Sequence, residues 1–217
     1  MIDFAVSLFA DYTVRIITAG TLILGVVSGV LGVFAVLRKQ SLLGDAVAHA
    51  ALPGIAVAFL ISGIKNQVWL LAGAAAAGWL ASIWISGIVK NTRLKSDTAL
   101  AMVLAVFFGL GLVLLTYIQK IPNANQAGLE KFLFGQAATL VKQDVVNMGV
   151  ITLAVLAMVG LFWKEFKLIT FDPQFARSNG FNVRLLDIIL NSLIVVAIVL
   201  GLQAVGVVLM SALLIAP

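Results

Sequence analysis

The chain has 217 residues, of which 62% are hydrophobic and only 11% charged, with a net charge of +5. A soluble domain averages about a quarter charged residues, and apolar stretches of about 20 residues recur along the whole length, so a multi-span α-helical membrane protein is expected and a transmembrane barrel is not. The absence of cysteine excludes disulfides and thiolate metal sites, and the basic residues fall between spans, which points to membrane orientation rather than to nucleic acid.

Residues 1–13 mix Asp3, Phe4, Leu8, Phe9, Asp11 and Tyr12 and read as an interfacial helix lying on lipid. They lack the basic start and small-residue cleavage site of a signal peptide. A first span is expected over about 14–37, with Gly25, Gly29 and Gly32 spaced for close helix packing. Arg38-Lys39 end it, and a second span follows over about 42–61. After the Lys65-Asn66-Gln67 turn comes a third span over about 68–89, with Trp69 and Trp84 near its ends. Lys90, Arg93 and Lys95 form a basic loop, and Ser96 or Asp97 would cap a fourth span over about 98–118.

Residues 119–143 break the pattern. Their apolar patch, Leu129 with Phe132, Leu133 and Phe134, is too short to span and reads as an interfacial or re-entrant helix. A fifth span is expected over about 145–163, followed by a polar loop over 164–184. Within that loop Asp172 as N-cap, Pro173 at the first helical position and Gly180 as terminator predict a helix of about two turns. A sixth span covers about 185–202, and a seventh starts near Val205 and runs to Pro217, where the chain stops inside an apolar run and is read as truncated.

Arg38, Lys39, Lys90, Arg93, Lys95, Lys164, Lys167, Arg177 and Arg184 lie on one side of this topology and outnumber Arg15, Lys65, Lys120, Lys131 and Lys142 on the other. The excess puts the ends of spans one, three and five, and the 172–180 helix, in the cytoplasm.

Ionisable groups inside spans are functional candidates by default. Asp45 and His49 stand at i, i+4 on one face of the second span, among Ala46, Ala48, Ala50 and Ala51. An imidazole and a carboxylate so placed can hold one divalent ion in an open shell that lets it leave, can form a structural hydrogen bond, or can relay protons. Simple counting puts Asp45 nearer the Arg38-Lys39 side than the midplane, and Pro53-Gly54 allow a bend. Asn191, Ser192, Gln203 and Ser211 could line a path or pair between helices. Met102 and Met210 are expected to pack, Asp97 and Asp187 to cap or face the interface, and Glu130 and Asp144 to be solvated. No P-loop is present, so ATP-driven transport would need a separate ATPase subunit.

The run 42–54, Leu-Leu-Gly-Asp-Ala-Val-Ala-His-Ala-Ala-Leu-Pro-Gly, resembles the second-span signature of the metal-ion ABC permeases, the manganese/zinc/iron uptake family. The segment 171–177 with Gly180 resembles the cytoplasmic coupling segment of that family, and the run 206–217 is similar to its late-span signature. The resemblance implies an all-α polytopic permease forming one transmembrane domain over 1–217 in the plasma membrane, with about seven spans present of a family total of about eight. It implies a type II importer subunit that is not itself an enzyme and keeps no permanent cofactor, its cargo being a divalent metal ion. Two ATPase subunits, an extracytoplasmic solute-binding protein and a second permease subunit, identical or related, are the implied partners. Asp45 and His49 would lie on the ion path, and Asp172, Pro173, Phe175, Ala176, Arg177 and Gly180 would couple to the ATPase. The segment 127–138 leans toward the manganese-type branch, with zinc or iron next. A proton-coupled secondary transporter with Asp45 and His49 as relay is the alternative.

Overall fold

Hydropathy alone sets where the long helices fall. The computed structural model describes residues 11–40, 42–63, 66–121, 135 and 140–215. These form α1 (Tyr12–Leu37), α2 (Leu43–Ser62), α3 (Gln67–Asn91), α4 (Ser96–Gln119), α5 (Lys142–Leu161), α6 (Trp163–Phe171), α7 (Pro173–Ser178) and α8 (Val183–Ile215). Among the described residues six helices are long and apolar enough to cross a membrane: α1 to α5, and α8 over Val183–Val207. The expected interfacial segments, residues 1–10 of the first and the 129–134 patch of the second, lie outside the described residues, as does most of the manganese-leaning segment 127–138.

Local chemistry sets the helix starts. Asp11 accepts from the Thr13 N–H at 2.8 Å to open α1, and Asn66 accepts from the Val68 N–H at 3.0 Å to open α3. Asp144 is not simply solvated: its Oδ2 accepts from the Val141 N–H at 3.2 Å at the start of α5. Helix α4 begins at Ser96, with Lys95 rather than Ser96 or Asp97 in the N-cap position. Between α1 and α2 the chain turns tightly through Lys39 (φ 56°), whose N–H bonds back to the Val36 carbonyl at 2.9 Å.

Helix α2 is the centre of the bundle. It packs against α3, α4 and α8, while α1 packs against α8 and α5. Its Ala46, Ala48, Ala50, Ala51 and Ala56 are all fully buried, because methyl side chains let three helices approach at once. A backbone-to-backbone approach joins Gly54 of α2 to Gly73 of α3: a Cβ on Gly54 would run into the Gly73 carbonyl oxygen. The Gly25/Gly29 pair does not act this way, since a Cβ at either would meet nothing within 4 Å. Gly54→Ala is therefore expected to lower stability by about 1–3 kcal/mol through forced separation of α2 and α3. Thermal unfolding in detergent checks it, with Gly25→Ala as the neutral control.

The 164–171 part of the expected polar loop is helical. In α6, Phe166 and Ile169 are buried on one face, and the Phe34 ring of α1 meets Phe166 and Trp163 edge-on at 6.1 and 5.6 Å. The expected sixth and seventh spans run as one helical element interrupted at Gly206 (φ 78°, ψ 177°). Only glycine adopts this conformation at little cost. The arm beyond it turns back, so that a Cβ on Gly201 would overlap the Met210 sulfur and a Cβ on Gly44 would stand 2.6 Å from Leu214 Cδ2. Met210 packs as expected, fully buried, whereas Met102 is 49% exposed.

Candidate ion-path site

The tight turn through Lys39 and Gln40 delivers Asp45 to the first turn of α2. There the exposed N–H groups of the helix start favour a carboxylate. His49 follows one turn later, about 9 Å along the axis from Leu43 at the usual rise per residue. Both side chains are half-buried, 19% exposed for His49 and 29% for Asp45.

His49 Nδ1 lies 2.9 Å from the Asp45 carbonyl oxygen and 3.1 Å from Asp45 Oδ1. Two acceptors facing one ring nitrogen require that nitrogen to carry the proton. The neutral imidazole then has its lone pair on Nε2, on the opposite edge of the ring. Phe108 of α4 meets the ring edge-on at 5.0 Å and limits its rotation. In this arrangement Asp45 orients the imidazole, and Nε2 is the nitrogen that can take a cation or a proton. Among the described residues no three His, Cys, Asp or Glu side chains gather as a metal cluster. The pair thus offers a cation one open donor, His49 Nε2, with the Asp45 carboxylate as its orienting partner.

The predicted short helix is α7. Asp172 Oδ1 accepts from the Gln174 and Phe175 N–H groups at 3.1 and 2.9 Å, Pro173 is the first helical residue, and Gly180 stands at φ 82° just past the end. Ala176 is fully buried and ties α7 to the bundle, while Phe175 is 55% exposed. Phe171 and Phe181 flank it as further exposed rings, and Arg177 adds a cation. The structure separates this surface from Asp45 and His49 in sequence, but both lie toward the end of the bundle that carries Arg38 and Arg184.

Asp187 is the group that the sequence reading misplaced. It does not cap α8 or face the interface; it forms an ion pair with Arg38 at the end of α1, both side chains largely buried. Burial pulls the Arg38 guanidinium below its ordinary value. An arginine and an aspartate 149 positions apart give no periodic signal in the chain. Of the other polar candidates, Asn191 and Ser211 are buried, and Ser192 accepts from the Trp79 indole N–H at 2.9 Å, an interhelical pair between α3 and α8.

Comparison with known proteins agrees with this architecture. The zinc transport system membrane protein TroC of Treponema pallidum (strain Nichols) is 50% identical over 210 residues, 97% of this chain and 70% of that protein. The manganese transport system membrane protein MntC of Bacillus subtilis (strain 168) is 53% identical over 201 residues, 93% of this chain but 46% of that protein. Among solved structures, PsaBC from Streptococcus pneumoniae in complex with Fab superposes with a TM-score of 0.81 at 30% identity, covering 99% of this chain and 74% of that one. Residues 10–217 match the family described as the ABC 3 transport family, and with these relatives beside it the chain belongs to that family of ABC-transporter membrane proteins.

Proposed function

We propose that this chain is the permease subunit of an ATP-driven importer for divalent transition-metal ions, with Mn²⁺ the preferred cargo and Zn²⁺ or Fe²⁺ next. The observation that carries the reading is the Asp45–His49 pair on the central helix of the bundle, with Nδ1 engaged by Asp45 and Nε2 left as the open nitrogen. An imidazole beside a carboxylate, with no thiolate in the chain, suits Mn²⁺ and its neighbours better than it suits Cu⁺. With Asp45 engaging Nδ1, Nε2 is the one donor that the pair presents, and water fills the remaining positions, so the ion is held loosely enough to move on. The names of the relatives, zinc for TroC and manganese for MntC, support a metal cargo and are divided on which metal.

The chain would work beside a second permease subunit, two ATPase subunits and an extracytoplasmic solute-binding protein. ATP hydrolysis belongs to the ATPase, and α7 is the docking piece. Its buried Ala176 transmits motion into the bundle, and exposed Phe175 and Arg177 offer an apolar anchor and a charge to the partner. The excess of basic residues at the α7 end supports a cytoplasmic placement.

Reconstitution into proteoliposomes with the partner ATPase tests the function. Mn²⁺ uptake should require ATP and survive a protonophore. Uptake without the ATPase, or its collapse with the proton gradient, would instead establish a secondary transporter.

A further inference from the structure

A cavity of about 520 Å³ opens between α3 and α8 beside α7, away from the Asp45–His49 pair. Its lining includes three cations, Lys90, Arg177 and Arg184, and one carboxylate, Asp187, which Arg38 already engages. Among the described residues none of the three forms an ion pair, so the pocket is net positive. A basic lining repels a metal cation and therefore does not suit an exit for one.

Deeper in the cavity the chemistry changes. Trp79 and Ile83 of α3 and Ile188 of α8 line it and remain 46%, 49% and 44% exposed on membrane-spanning helices. Asn191 also lines it, only 7% exposed, and its Oδ1 has no hydrogen-bond partner. The occupant must therefore carry an anion for the basic residues and hydrocarbon for the apolar wall.

We propose that this cavity is a binding site for an anionic phospholipid, the phosphate held by Lys90, Arg177 and Arg184 and the acyl chains laid along Trp79, Ile83 and Ile188. A soluble acidic partner would match the charge but not the apolar wall at membrane depth. Because Arg177 also belongs to the α7 segment, a bound headgroup stiffens that segment against the bundle.

The experiment is native mass spectrometry of the full chain in mild detergent, titrated with phosphatidylglycerol or phosphatidylcholine. Phosphatidylglycerol should be retained about 100-fold more tightly, at about fivefold for each of the three cations. Lys90→Ala with Arg184→Ala should weaken it about 25-fold, at about fivefold per cation removed. Equal retention of the two lipids by the unmodified chain overturns the proposal without reliance on any variant. Displacement of the lipid by millimolar inorganic phosphate overturns it too, by identifying a site for a free anion.

Discussion

Replacing Asp45 and His49 together by alanine should abolish metal uptake in the reconstituted transporter while the chain still inserts and unfolds near the unmodified temperature. Each side chain is only half-buried, and neither fills the core as Leu52 or Ile55 do, so the stability cost is small. The single changes separate their roles. His49→Ala removes the nitrogen that meets the ion and should match the double change. Asp45→Asn keeps a side-chain oxygen near Nδ1 but removes the charge, and should lower uptake by about 10- to 100-fold, as the loss of a group that orients a metal ligand does. Uptake measured with a radioactive metal tracer at fixed ATP checks both. Normal uptake in the double variant would sink the assignment of the ion path to this pair.

The largest effect on stability is expected at the Arg38–Asp187 pair. Its side chains are 13% and 21% exposed, and it joins the end of α1 to the start of α8. Removing one partner strands the other as an uncompensated charge, so Asp187→Ala or Arg38→Ala should cost about 3–5 kcal/mol. Arg38 Nη1 is buried without a partner, so the pair itself is imperfectly satisfied. Replacing both ends by apolar residues, Arg38→Met with Asp187→Leu, should therefore recover most of the loss. Thermal unfolding in detergent distinguishes the cases; single variants as stable as the unmodified chain would show that the pair contributes nothing.

The long helices were legible because a span of about 20 apolar residues is a one-dimensional signal. So was α7, whose Asp172, Pro173 and Gly180 each act on the local backbone. The i, i+4 placement of Asp45 and His49 followed from helix geometry, but the division of labour between Nδ1 and Nε2 did not. It depends on the carbonyl of Asp45 and on Phe108, which comes from another helix. Helix α6 was hidden because Lys164, Glu165 and Lys167 made its segment look like loop, although Phe166 and Ile169 keep i, i+3 spacing. The Gly25/Gly29 spacing suggested a contact that Gly54 and Gly73 make instead, since the motif specifies closeness but not the partner. The Arg38–Asp187 pair and the reversal at Gly206 depend on tertiary arrangement, which hydropathy does not encode.

The reversal at Gly206 also has a consequence for the order of assembly. Helices α2, α3 and α4 are neighbours in sequence and in space, so they can associate as soon as they leave the ribosome. Helix α8 packs on α1 and α2, and the arm beyond Gly206 lays Leu214 against Gly44, the residue before Asp45. Enclosure of the Asp45 turn thus comes after the packing of α2, α3 and α4, waiting for more than 160 further residues to be synthesised. Until then an ionisable pair stands at an unfinished edge of the nascent bundle, where hydrocarbon is a poor solvent for it. A nascent chain arrested ahead of α8 accordingly leaves that pair unenclosed.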